Sequence, residues 1–575
     1  MKTKNIFVFL LSAGLALTCT NCNMLEPGQD NTYSEDRIVA DASFAEGLLL
    51  RAYAALPNGY DDFTEVATDD AVTNDKGSMY AKMVSGGWSA LYNPVSNWSQ
   101  SYEVIAYINQ FLKIADKVEW SWQDSTRNEK WYKRLTGEAF ALRAYYYFLV
   151  LQNHGGLSSK GEMLGIPYLK KMPVTGDKST WNLPRPSYME TARAILADLA
   201  AAKELLPQEY MKLPNDPAAD RLFGIKFRNR IDKRICTALM ARIAMFVASP
   251  AYNGGSYNEE MCQVAAANAA ELIQNVGGIN ALTAAKGVLA DKLFYDNNND
   301  SKNVEILWRQ NYVTNSTIEQ MNFPPTLFGN GRINPTQNFV DAFPMANGYP
   351  INMNESYFNE LDPYAGRDPR LGESVIYNGS TFKNVVINTS VSGSNDGLNV
   401  LTNSTVTGYY LKKLMREDVS INPSSTRQHF RPLIRYTEIF LIYAEAANEA
   451  YGPDNANTAG VTARQVIRAI RQRSKVGGTT ATSDTYLNSL ASKEQLRELI
   501  RNERRIEMSF EGFRFWDMRR WELNLSEPAK GIRIDESGMT KINVEDRVFA
   551  SYMKYGPIPN AQIIKTDSLI QNQGW

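Results

Sequence analysis

IDKRICTALMARIAMFVASPAYNGGSYNEEMCQVAAANAAELIQN, residues 231–275, reads as two helices and the turn between them. On either side of the turn, apolar residues return every three or four positions, the period of a helix with one face against a core. The SPAYNGGSYN segment supplies the Pro, Asn and Gly that interrupt a helix. Small residues recur on the first helix (Ala238, Ala241, Ala244, Ala248), and small side chains let neighbouring helices approach closely. The same arrangement is predicted over 433–451 and 458–474, around YGPDNAN, with Ala444, Ala446 and Ala447 as the small residues. Such pairs predict helix-turn-helix repeats of the tetratricopeptide kind, degenerate because no fixed period links them.

Further helices are predicted over 43–56, 98–118, 128–153, 187–206 and 492–510. The fold class is therefore mainly α. Residues 276–430 differ: rich in Asn, Gly, Ser, Thr and Pro, they carry short β-like runs, Val304–Trp308 and Val385–Ile387, and no long amphipathic helix. We read 22–575 as a single domain, with a helical scaffold over about 43–275 and 431–521 and a loop-rich insertion at 276–430 that carries function.

The composition excludes several classes. With 61 basic against 62 acidic residues, the chain offers no general attraction to nucleic acid, and no nucleic-acid partner is expected. Two histidines, His154 and His429, argue against a multi-histidine metal site, and neither metal nor cofactor is expected. Thirty Tyr, 23 Phe and 10 Trp favour binding by stacking. Cys236 and Cys262 lie in Ala-rich helical patterns and read as small core residues.

The N-terminus reads as an export address. Lys2 and Lys4 precede the apolar run Ile6–Leu17, long enough for a signal peptide and short for a membrane span. Residues 1–21 are read as a lipoprotein signal peptide, with Cys22 as the preferred lipid anchor and Cys19 as the alternative. Ordinary cleavage that discards both cysteines is the remaining reading. Residues 23–42 would be a polar leash.

The helix at 492–510 has Ser492 as its cap and Gly512 as its stop. Steps of about 100° place Glu503 and Glu507 in the apolar stripe of Leu496, Leu499, Ile500, Ile506 and Phe510. Buried carboxylates need partners. RNERRIEMSFEGFRFWDMRRW (501–521) offers Arg501, Arg504, Arg505, Arg514, Arg519 and Arg520, so we read Glu503 and Glu507 as structural rather than as an acid/base pair, and the arginines as their partners rather than as a nucleic-acid patch.

Many segments, in order, resemble the SusD/RagB family, the surface nutrient-binding lipoproteins of Bacteroidetes. They include CNMLE (22–26), GEAFALRAYYYFLVLQNHGGL (137–157), IPYL (166–169), NPTQNFVDAFPMANGYPI (334–351), PYAGRDPRL (363–371), RYTEIFLIYAEAANEA (435–450), IRNERRIEMSFEGFRFWDMRRW (500–521) and YGPIP (555–559). Asn21 before Cys22 departs from the small residue usual in the family. The resemblance implies a SusD-like fold of tetratricopeptide-like pairs, an anchor in the outer membrane facing the cell exterior, a SusC-like TonB-dependent transporter as partner, and capture of an oligosaccharide, with peptide as the alternative ligand.

A sugar offers C–H faces that stack on aromatic rings and hydroxyls that need planar polar partners. TDDAVTNDKGSMYAKMVSGGWSALYNPVSNW (68–98) has that composition, and we take Asp70, Asn74, Trp88 and Tyr92 as candidate ligand residues, with Trp88 and Tyr92 as stacking platforms beside a Gly-rich turn. For Trp98, at a helix start, core packing is the preferred reading. FPPTLFGNGRINPTQ (323–337) adds Phe328, Asn330 and Arg332. A glycosidase would need two carboxylates held across a cleft. Adjacent Asp69 and Asp70 diverge, and no G-x-S-x-G, H-E-x-x-H or phosphate loop is present, so no catalytic residue is assigned. A repeat scaffold that binds only protein is the third reading.

Overall fold

The computed structural model describes residues 34–57, 59, 63–122, 124–174, 176–285, 305–392, 395–457, 460–480 and 482–575. Cys19 and Cys22 lie outside the described residues. The long helices are α1 (Ala42–Ala54), α2 (Trp98–Ile114), α3 (Ser125–His154), α4 (Tyr188–Leu205), α5 (Lys233–Val247), α6 (Glu259–Asn275), α7 (Tyr436–Tyr451), α8 (Ala463–Arg473) and α9 (Lys493–Glu507). Each corresponds to a helix predicted from periodicity, with ends shifted by a few residues.

Local chemistry sets the ends. The Asp124 carboxylate accepts from the Thr126 and Arg127 N–H groups at the start of α3, and capping boxes open α4, α8 and α9 at Ser187, Thr462 and Ser492. At 30 residues, α3 spans roughly 45 Å. From Arg134 onward it is buried on nearly every side, and its few charged residues there, Arg134, Glu138 and Arg143, are buried in ion pairs. Ala241, Ala244, Ala265, Ala269, Ala444 and Ala447 are fully buried where α5, α6 and α7 pack together. One core, including Leu142, Leu199, Ile243, Leu272, Ile439 and Ile467, runs through these helices, and Cys236 and Cys262 sit within it. Burial pushes both thiols up.

The 276–430 region is more than an insertion. A second core gathers Phe63, Val66 and Trp88 from before α2, Phe323, Phe339, Leu371 and Tyr410 from the loop-rich stretch, and Phe510, Phe515 and Ile532 from after α9. Short strands pair two by two: β1 (Ala71–Thr73) runs antiparallel to β3 (Ile333–Pro335) and β5 (Ala529–Asp535) to β6 (Gly538–Glu545) beside this core, while β2 (Ile306–Arg309) pairs with β4 (Pro432–Arg435) and buries Leu307, Trp308 and Ile434 in the helical core. The Val304 run appears as β2, with 304 itself outside the described residues. Residues 34–42, expected as leash, are instead docked: Ser34 caps a helix at Glu35–Val39, and Glu35 pairs with Lys113 (2.5 Å) and Lys117 (2.9 Å) of the scaffold.

A seam of buried charge joins the two cores. Glu503 meets Arg370 (2.9 Å) and Arg471 (3.0 Å), while Glu507 meets Arg473 (2.7 Å), Arg435 (3.4 Å) and Arg370 (3.4 Å). Burial alone would raise the Glu507 carboxyl, but Arg473, Arg435 and Arg370 outweigh it and bring it down to about 2. The partners are not those expected from the neighbouring sequence. Arg504 and Arg520 hold Asp517, Arg505 holds Asp69 and Asp70, and Arg514 holds Asp69, because these arginines point away from the stripe that carries the glutamates.

Candidate functional site

Short strand β1 and the turn after it, with the loop that enters β3, build one wall of a cavity of about 450 Å³. Phe63, Val66 and Ile333, all buried, are its apolar floor; Thr73, Asp75, Asn330 and Arg332 are polar residues around it. Asn74 fastens the two strands' ends. Its backbone N–H donates to the Arg332 carbonyl (3.3 Å), and its side-chain amide donates to the carbonyls of Asn330 and Gly331 (both 2.9 Å). Asp75 pairs with Arg332 across the rim, and its other oxygen accepts from the Gly77 N–H (3.0 Å), a local turn that fixes the carboxylate. Gly331 sits at φ +50°, and a Cβ there would lie 2.6 Å from the Asn403 carbonyl, so the turn between Asn330 and Arg332 accepts no larger residue without movement.

Four of the sequence candidates gather here. Asn330 and Arg332 line the cavity, Asn74 ties its walls, and Tyr92 stands beside it, its hydroxyl donating to the Met79 carbonyl (2.9 Å) and its ring lying 4.1 Å from the Lys82 ammonium. Phe328, two residues before Asn330, is 61% exposed and held in the left-handed region at φ 65°. Such a conformation costs an aromatic residue about 1–2 kcal/mol. Phe63, Asp75 and Met79 were not singled out in the sequence; the Asn-Asp-Lys-Gly turn at 74–77 was the signal available for Asp75.

Two candidates belong elsewhere. Trp88 is 3% exposed and packs against Trp575 (ring centroids 4.9 Å), Phe515 and Phe549 (both 6.2 Å), so it is a core residue and not an exposed platform. The Gly86–Gly87 turn before it suggested a surface loop, yet the indole turns inward onto residues distant in sequence. Asp70 is fully buried and accepts from Arg505 (2.6 Å). Its neighbour Asp69 is partly buried, but Arg505 and Arg514 more than offset the loss of water and hold its carboxyl below the usual range. Neither is available to a ligand. Trp98 is buried, stacked edge-on to His154 at 5.2 Å. Burial drives His154 down to about 3, so the ring is neutral. Among the described residues no group of His, Cys, Asp and Glu could hold a metal.

Another cavity, of about 210 Å³, lies between α3, α5 and the segment after α9. Its Arg242, Arg504 and Arg520 already hold Glu438 (2.5 Å), Asp517 (2.9 Å) and Glu445 (2.6 Å).

The model of the SusD family matches residues 293–575, and a second model, described as starch-binding and associating with the outer membrane, matches residues 29–220. The chain belongs to the SusD family. Among solved structures, a SusD-like protein from Bacteroides fragilis is 23% identical, with 94% of this chain and 99% of that chain covered and a TM-score of 0.72. A SusD-like carbohydrate-binding protein from the same organism is 21% identical over 92% of this chain and 99% of its own, TM-score 0.69. A third, from Bacteroides vulgatus and also described as carbohydrate-binding, is 15% identical over 92% and 97%, TM-score 0.59. At these identities the likeness is one of SusD-like fold. No curated protein matches the chain in sequence.

Proposed function

We propose that this protein is a cell-surface nutrient-binding lipoprotein that captures an oligosaccharide and delivers it to a SusC-like TonB-dependent transporter. The observation that carries the reading is the cavity at the β1–β3 junction, whose apolar floor and polar rim of Thr73, Asp75, Asn330 and Arg332 match the two chemistries of a sugar, with Phe328 exposed close by. The relatives described as carbohydrate-binding share the fold, and one matching family model is described as starch-binding. Asp75 is the one carboxylate lining the cavity among the described residues, and it is engaged by Arg332. Two free carboxylates on opposite sides, which glycoside hydrolysis requires, are not among that lining, and this supports the reading of binding.

Among the described residues no helix is long and apolar enough to cross a membrane. Attachment to the outer membrane would come from lipid on Cys22, with Cys19 as the alternative, each buried CH₂ contributing roughly 0.8 kcal/mol. A binder of this kind needs a transporter to move its ligand inward.

Calorimetry with a panel of oligosaccharides and a matched panel of peptides tests the reading. Binding of an oligosaccharide that weakens in Arg332→Ala supports it. Binding of peptides alone replaces the ligand class, and new reducing ends in the glycan samples would make the protein an enzyme.

A further inference from the structure

Tyr357 is the most exposed large aromatic side chain among the described residues, at 84%, and it is held at φ 55° in the left-handed region. It follows the single 3₁₀ turn Asn354–Ser356 as that turn's cap, a position where Asn or Gly would be free of strain. Its ring makes no hydrogen bond or ring contact with another described residue, so packing gives no return for the strained backbone. A residue kept in a costly conformation with its side chain in solvent points to a role outside folding. Phe328 is the one other aromatic with both properties among the described residues, exposed and left-handed at the end of a 3₁₀ turn, and it stands beside the β1–β3 cavity.

Tyr357 lines a separate open cavity of about 520 Å³. This cavity shares no lining residue with the first. Tyr349, itself set against Tyr486 at 5.4 Å, forms part of it, together with the exposed Glu355 carboxylate, the Ser483 and Thr485 hydroxyls, and the Gly477–Gly478 backbone. The Asn347 amide donates to the carbonyls of Glu355 (2.9 Å) and Ser356 (3.4 Å), which pins the turn that carries Tyr357. Below the cavity, Arg471 donates to the Gly348 carbonyl (2.8 Å) and pairs with Asp484 (2.6 Å), so the two loops that form its walls are fixed to one buried guanidinium. The result is a cup with a free aromatic face and hydroxyl and carboxylate groups around it. Those are the partners of one or two pyranose rings, and the buried cation beneath the cup, Arg471, is already held by Asp484 and Glu503.

We infer that the Tyr349–Glu355–Tyr357 cup is a second carbohydrate-binding site, in which a sugar ring stacks on Tyr357 and its hydroxyls are taken by Glu355 and Thr485. The inference rests on the carbohydrate reading of the first cavity, and it adds a second hold on the same class of polymer. Two holds on one chain raise apparent affinity without strengthening either contact.

Affinity electrophoresis in gels cast with soluble starch, xylan, mannan or arabinogalactan tests it with the full chain and two variants, Tyr357→Gly and Phe328→Gly. Glycine accepts both backbone conformations, so each variant keeps its fold, which the unfolding midpoint verifies. For the polymer that retards the native protein, Tyr357→Gly is expected to weaken apparent affinity about fivefold to tenfold, the scale of one lost aromatic contact. Equal retardation of Tyr357→Gly and native protein overturns the second site and leaves the first standing if Phe328→Gly is impaired. A native protein retarded by none of the four polymers, and bound by no oligosaccharide in the calorimetric panel, removes the carbohydrate reading and the second site with it.

Discussion

The helical scaffold and the loop-built core solve the same problem by different means. In the scaffold the backbone's polar groups are satisfied within each helix, and side chains are left to pack. In the second core little regular structure is available, and buried arginines take its place. Arg367 donates to the carbonyls of Pro363 (2.9 Å), Val340 and Phe343 (both 2.6 Å). Arg547 donates to those of Val66 (2.9 Å), Thr68 (3.0 Å) and Ala71 (2.7 Å), the last of which begins β1. Burial lowers the pKa of both guanidinium groups. A chain segment without helix or sheet can form a dry core when a few cations gather its carbonyl oxygens.

The difference predicts where each half breaks. The largest effect belongs to the seam between them: Glu507→Ala leaves Arg473, Arg435 and Arg370 facing an uncompensated site and should cost about 3–5 kcal/mol in urea unfolding. The pH dependence follows in sign. Glu507 is held at about 2 in the folded protein and titrates near 4.5 when unfolded, so its contribution is complete above the unfolded value and is lost as pH falls from there toward 2. Unfolding midpoints measured over that range should decline in the native protein and decline less in Glu507→Gln. Trp88→Ala, in the second core, should cost about 3–5 kcal/mol through the cavity it leaves. If it instead weakened glycan binding at unchanged stability, the indole would have to be exposed.

Arg367→Met keeps the apolar stem and strands three carbonyl oxygens, with an expected cost of about 2–3 kcal/mol. Hydrogen exchange should show that loss confined to the 340–371 segment rather than spread through the helices, and uniform loss would mean that the two cores unfold as one. The smallest effect is at Phe328→Gly, where relief of backbone strain offsets the added freedom of glycine, and the change in stability should stay under about 1 kcal/mol in either direction. A larger loss would place Phe328 in the core.

The helices were legible because a 3.6-residue period survives whatever the helix packs against, and the Ser492 cap and the buried Glu503 and Glu507 could be placed from spacing alone. Their partners could not. Arg370, Arg435, Arg471 and Arg473 come from a short helix (Arg370–Ser374), a strand and a third helix, and no local pattern links them to α9. The second core was read as an elaboration for the same reason: Phe63, Phe339 and Phe515 meet only after long stretches of chain have folded around them. The β5–β6 hairpin alternates over 529–545 and closes on Glu536–Ser537, yet it lay beyond the helical pattern that organised the reading. Of the ligand candidates, Asn74, Tyr92, Asn330 and Arg332 came together, whereas Trp88, chosen like Tyr92 for the Gly-rich turn beside it, turned inward, and Asp70 is buried on Arg505.

The pairing of Ala71 with Pro335 and of Thr73 with Ile333 has a consequence for the timing of biogenesis. The two walls of the first cavity are separated by more than two hundred residues of chain, so a polypeptide made N-terminus first has no complete cavity until its second half arrives. The cavity is thereby reserved for the finished molecule, and a fragment cut short after the scaffold's sixth helix lacks one of its walls.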